Sequence, residues 1–145
     1  MNRQMFSRKQ LLVPMMAGLL LLSSCSKDDG TAPDEGLLPV PNPDTTRVYK
    51  DGEYTARGVY GGAPSYITVD VKLQNGILTN VLVTPMPENN ATSRDYQERF
   101  AAAVPAVVEG KHISEVRVGR LAGSSGTNVG FNNAIDLIKE QAAED

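Results

Sequence analysis

Cysteine and histidine are almost absent from this chain. Its 145 residues include one cysteine, Cys25, and one histidine, His112. A single thiol allows no disulfide within the chain and no thiolate metal site. A single imidazole excludes a histidine metal cluster built from one chain. With that imidazole unplaced, no nucleophile–His–Asp triad can be argued, and no carboxylate dyad stands out for acid–base work. His112 reads as a surface residue without a role. Long apolar runs are scarce as well. The only one extends from Leu11 to Leu22, broken by Pro14 and Gly18, and it falls short of the roughly 20 apolar residues a bilayer-spanning helix needs.

What surrounds that run gives it a meaning. Arg3, Arg8 and Lys9 precede it, and Ser23, Ser24 and Cys25 follow it. A basic head, a short apolar run and small residues are the parts of a secretory signal. Leu22-Ser23-Ser24-Cys25 resembles the lipobox of bacterial lipoproteins, where the signal is cut before the cysteine and the thiol receives lipid. The expectation is a signal peptide over residues 1–24, a lipid anchor on Cys25, and a place at the bacterial cell envelope, on the outer membrane or the cell surface among the options. Acyl chains contribute roughly 0.8 kcal/mol per buried CH₂, so several of them hold firmly.

Loss of the three basic residues of the signal leaves 11 basic against 17 acidic residues, a net charge of −6. Such a chain repels nucleic acid, whose binding requires basic patches. Residues 25–48 contain Pro33, Pro39, Pro41 and Pro43 with glycines and acids between them. That composition buries no core and reads as a flexible tether. Within it, Ser26-Lys27-Asp28-Asp29 is similar to acidic surface-export signals and is equally the first polar stretch of a linker.

Residues 49–145 suit one small domain. Tyr54 to Tyr60 reads as a strand ending at Gly61-Gly62. Ile67, Val69, Val71 and Leu73 alternate with polar residues, the period of a strand with one buried face. Asn75-Gly76 is a type I′ hairpin signal, and Ile77 to Thr84 is the returning strand, stopped by Pro85 and Pro87. Tyr96, Phe100, Ala103 and Val107 then share one helical face, capped near Asn89–Ser93 or by the Thr92/Asp95 spacing, with Pro105 expected to end or kink the helix. Glu115 to Val118 reads as a short strand. Phe131, Ile135, Ile138 and Ala142 mark a second amphipathic helix from about Asn128. Strands followed by helices predict an α+β domain, a small antiparallel sheet with a central hairpin packed against two helices.

The segment most suggestive of chemistry is Ala122-Gly123-Ser124-Ser125-Gly126-Thr127-Asn128, directly before that second helix. The first N–H groups of a helix have no internal partner and carry positive potential. Glycines admit a ligand to the backbone and hydroxyls add donors, which together suit a phosphate. Equally, a Gly/Ser loop before a helix serves as a plain loop with an N-cap.

The domain resembles the FMN-binding domain of flavin-carrying subunits of bacterial redox pumps, in a small lipoprotein branch with a Gly-Ser-Ser variant. Tyr49-Lys50-Asp51-Gly52-Glu53-Tyr54-Thr55 is similar to the family's opening strand, and Val69 to Val81 to its hairpin block. The family's closing Ser-Gly-Ala-Thr-x-Thr-Ser falls without a gap on Ala122 to Asn128, and its later Ala-Ile pair on Ala134-Ile135. The resemblance implies FMN as cofactor, with Gly123, Ser124, Ser125, Gly126, Thr127 and Asn128 as its binding residues and an unidentified envelope redox protein as partner. It implies an electron carrier more than a free-standing enzyme. Ser125 stands where the family's threonine carries FMN by a phosphoester, Ser124 replaces a small apolar residue, and Gly119 replaces an acid. Noncovalent binding is therefore expected over covalent attachment at Ser125. The family's His-Glu-Thr-Pro-like stretch is replaced by Thr84 to Glu88, where Met86 is either a ring contact or an exposed loop residue. The alternative from another class is a cofactor-free surface module that binds a protein or peptide on the same fold.

Overall fold

The computed structural model describes residues 36–41, 43–62 and 65–144. The predicted signal, Cys25 and the polar stretch at 26–29 lie outside the described residues. Among the described residues no helix is long and apolar enough to cross a membrane.

Three strands form an antiparallel meander in the order β1 (Gly52–Tyr60), β2 (Ser65–Gln74) and β3 (Ile77–Pro85). The hairpin turn is Asn75-Gly76, with φ of +52° and +73°. These are the left-handed values a type I′ turn requires and that Asn and Gly tolerate best. Helices α1 (Ala91–Val108) and α2 (Thr127–Ala142) follow. Both pack on one face of the sheet, α1 along β3 and α2 along β1. This is the α+β architecture expected from strands followed by helices.

Strand alternation sets the core. Ile67, Val69, Val71 and Leu73 of β2 all point inward and are almost fully buried, as are Leu78, Val81 and Val83 of β3. A bulge between Lys72 and Leu73 shifts the register near the turn. From the helices come Phe100, Val104 and Val108 on α1, and Phe131, Ile135, Ile138 and Ala142 on α2. The rings of Phe100 and Phe131 meet at 5.7 Å between centroids. Each of the valine, leucine, isoleucine and phenylalanine side chains among them contributes about 1.5–3 kcal/mol by leaving water.

The sheet edges are occupied from within the domain, which blunts edge-to-edge association. On β1 the Val59 N–H donates to Asn133 Oδ1 at 3.1 Å. On β3 the Val81 N–H donates to Glu109 Oε1 at 2.9 Å, and Leu78 exchanges backbone bonds with Lys111 and Gly110.

Four local expectations need correction. The fully buried face of α1 runs through Gln97, Phe100, Val104 and Val108; Ala103 and Val107 are half-buried at its margin and pack on the core, while Tyr96 lies off it. Tyr96 is exposed, with the Arg99 guanidinium 4.7 Å from its ring centre. Of the two caps expected for α1, the Asn89–Ser93 stretch supplies it, Asn90 accepting from the Ser93 N–H at 2.9 Å, and the Thr92/Asp95 spacing does not. Thr92 lies inside the helix, and Asp95 pairs with Arg99 at 2.6 Å. Pro105 does not stop α1, which runs on to Val108 and closes with the Glu109 N–H on the Pro105 carbonyl. A proline three residues from the end removes one N–H and leaves the last turn intact. Finally, residues 113–115 form a single 3-10 turn, and Val118 makes one bridge to Leu37 in place of a strand.

That bridge reaches into the segment whose composition reads as tether. The Leu38 N–H donates to the Arg117 carbonyl at 2.6 Å and the Gly119 N–H to the Gly36 carbonyl at 2.8 Å, so residues 36–38 lie against the domain.

At two glycines the backbones of β1 and α2 approach closely. A Cβ at Gly58 would collide with the Gly130 carbonyl oxygen, and one at Gly130 would lie 2.5 Å from Tyr60 Cδ1 and 3.1 Å from the Gly58 carbonyl oxygen. Strand β1 and helix α2 therefore touch main chain to main chain. Gly58→Ala is expected to lower stability by at least about 2 kcal/mol, because the colliding atom belongs to a helix backbone that cannot step aside. Gly62→Ala, in open space, is expected to change it by less than about 0.5 kcal/mol. Urea denaturation of the two variants checks the contrast.

Candidate functional site

A cleft of about 450 Å³ opens where the N-terminus of α2 faces the start of α1. Tyr60, the last residue of β1, forms one wall. Ser93 and Tyr96, from the first turns of α1, form another. Arg120 enters from the extended segment before the glycine loop, and Gly123 to Thr127 form the floor. Roughly 300–1,000 Å³ is the usual range for small-molecule sites.

The loop is built by backbone conformation first. Ala122 and Gly123 both have positive φ, +50° and +76°. Two successive left-handed residues turn the chain back on itself, and Leu121 and Ser124 pair across the turn, with the Ser124 N–H on the Leu121 carbonyl at 2.9 Å. A Cβ at Gly123 would meet only Arg99 Nη1 at 3.6 Å. Glycine is needed there for φ and not for space.

The hydroxyls divide into two kinds. Ser124 is buried, accepts from the Thr127 N–H at 3.2 Å and donates to Thr127 Oγ1 at 2.7 Å. It caps α2 in place of Gly126, whose position offers no side chain. Ser125 is exposed at the cleft floor. Thr127 is buried with its oxygen already accepting from Ser124. The predicted six therefore separate: Gly123 to Thr127 line the cleft, while Asn128 does not. Its amide Nδ2 is 3.4 Å from the Val118 carbonyl, on the side where Asn132 clasps the same residue through both its N–H, at 2.8 Å, and its carbonyl, at 2.9 Å.

Several backbone donors remain open at this end of α2. Among the described residues, the N–H groups of Ser125, Gly126 and Asn128 make no hydrogen bond. The helix dipole adds positive potential at the same place, and Arg120 brings a formal charge. Among the described residues, no aspartate or glutamate lines the cleft.

Four cleft residues were not among the expected site residues. Ser93 reads only as part of a helix cap. Tyr60 reads as the end of a strand and Tyr96 as core, and Arg120 has no motif around it. The signal for Tyr60 lies in Gly126 and Gly130. Its ring rests on these two helix positions, 3.4 Å and 2.5 Å from where their Cβ atoms would be. Met86 is neither a cleft residue nor an exposed one: it is buried, and its N–H donates to Gln97 Oε1 at 2.9 Å. His112 is structural. Its Nδ1 accepts from the Ser114 N–H at 3.3 Å and so caps the 3-10 turn, with its ring edge against Tyr49. Among the described residues, no group of three or more His, Cys, Asp or Glu side chains is placed to hold a metal.

No family model matches the chain, and no curated protein and no solved structure matches it.

The two serines are expected to respond differently. Ser124→Ala removes the cap of α2 and should lower stability by about 1–2 kcal/mol. Ser125→Ala should leave stability within about 0.5 kcal/mol of the parent. Thermal unfolding followed by circular dichroism measures both.

Proposed function

We propose that the domain binds FMN noncovalently in this cleft and serves as a lipid-anchored electron carrier at the bacterial cell envelope. The observation that carries the reading is the cleft at the N-terminus of α2, where open backbone N–H groups and an exposed hydroxyl converge beside Arg120 and where, among the described residues, no acid lines the wall. That donor set fits a phosphate. Ser125, the N–H groups of Ser125 and Gly126, and Arg120 would hold it. Tyr60 and Tyr96 would offer aromatic surface to the flavin ring.

FMN would supply reversible one- and two-electron chemistry, and the chain would supply binding and orientation. Ser124 and Thr127 would keep the loop in shape through their mutual hydrogen bond, which leaves Ser125 as the hydroxyl open to the phosphate. The lipid on Cys25 and the proline-containing segment after it would hold the domain near its redox partner. The resemblance of Ala122 to Asn128 and Ala134-Ile135 to the FMN-binding domain supports the same reading.

The full chain in detergent is expected to quench the fluorescence of added FMN and to stay yellow after desalting. Acid should release the flavin from the pellet. Arg120→Glu should weaken binding tenfold or more, since a charged hydrogen bond contributes about 1.5–3 kcal/mol. A colourless protein with no quenching would overturn the reading and leave the cofactor-free module in its place. The anchor has its own test: Cys25→Ser expressed in a bacterium should move the protein out of the detergent-soluble membrane fraction. Equal membrane association of parent and variant would refute lipid attachment.

A further inference from the structure

Gln97 is a polar side chain with no exposed surface, on the sheet-facing side of α1. It sits where the β2–β3 ladder stops at Ile67 and Pro85. Its Oε1 accepts from the Met86 N–H at 2.9 Å, and its Nε2 donates to the Tyr66 carbonyl at 3.0 Å. These two partners allow only one orientation of the amide, because a backbone N–H only donates and a carbonyl only accepts. The remaining hydrogen of Nε2 then goes to Tyr60 Oη at 2.7 Å.

Tyr60 Oη is therefore an acceptor toward Gln97, and its own proton must point elsewhere. Among the described residues Oη makes no other hydrogen bond. Tyr60 lines the cleft, and its ring is pressed on the first turns of α2 at Gly126 and Gly130. The phenol is thus held at both its ring and its oxygen.

We propose that Tyr60 is the cleft's directional donor: its O–H reads an acceptor oxygen of the ligand, and Gln97 is the positioning residue that sets the direction of that bond. The ligand class is one that presents a phosphate or carbonyl oxygen to Tyr60. A ligand presenting an ammonium or another donor is accepted less well, because the amide of Gln97 cannot be inverted. The inference rests on the FMN reading for the identity of the ligand.

The experiment is an FMN titration of the full chain in detergent by fluorescence quenching, with inorganic phosphate as competitor. Three proteins are compared: the parent, Tyr60→Phe and Gln97→Glu. Tyr60→Phe keeps the ring and removes the proton, and is expected to bind FMN about tenfold more weakly, the measure of one hydrogen bond. Gln97→Glu keeps the acceptor for Met86 but turns the phenol's proton toward the carboxylate, so the same loss is expected with the tyrosine still present. A wall without a hydrogen-bonding role would bind FMN equally well in all three. Parent-like affinity in Tyr60→Phe overturns the donor, and parent-like affinity in a folded Gln97→Glu overturns its direction. Either result leaves the FMN reading standing. A parent that binds neither FMN nor phosphate overturns both.

Discussion

Strand β1 and helix α2 meet through their backbones, at Gly58 and Gly130, and the rest of the domain is arranged around that contact. Any side chain at either position would wedge the two elements apart. With both bare, α2 lies against the edge strand closely enough for Asn133 to reach the Val59 N–H. The same closeness puts the first turns of α2 under the ring of Tyr60. The cleft is a product of this packing: its wall is the end of β1, its floor is the start of α2, and neither would face the other at an ordinary strand–helix separation.

Helix α1 is tied into this arrangement by one buried amide. Gln97 joins Met86 after β3, Tyr66 on β2 and Tyr60 on β1. A buried amide is tolerable only when its polar atoms are paired, and here each of its donors and its acceptor has a partner. The cleft therefore lies between two helices held by different means. One is set by close backbone contact and the other by a hydrogen-bonded hub.

Much of the fold was legible from periodicity. The inward residues of β2, the Asn75-Gly76 turn and the buried stripe of α2 all follow from local rules, because alternation, left-handed turn residues and helical spacing are imposed within a few positions of the chain. The face of α1 was less legible. Tyr96 has the apolar area of a core residue and Gln97 the polarity of a surface one, yet their places are exchanged. The exchange depends on partners 11, 31 and 37 positions away for Gln97 and on Arg99 for Tyr96. No local rule reports a distant carbonyl that needs a donor.

For the single-cysteine, single-histidine composition, the sequence alone determined what the chain cannot do within itself: no disulfide and no histidine metal cluster. It also determined the hairpin, the order of elements and the glycine–serine loop ahead of the last helix, since these depend on residue type and spacing. Only the tertiary structure decided how that loop is used. It gave Ser124 to the helix cap, turned Asn128 toward Val118 and left Ser125 open. It also brought Tyr60, Tyr96 and Arg120 to the same cleft from three separate segments. Hydroxyls of one type in one loop differ only in what lies across from them, and that is fixed by how β1, α1 and α2 pack.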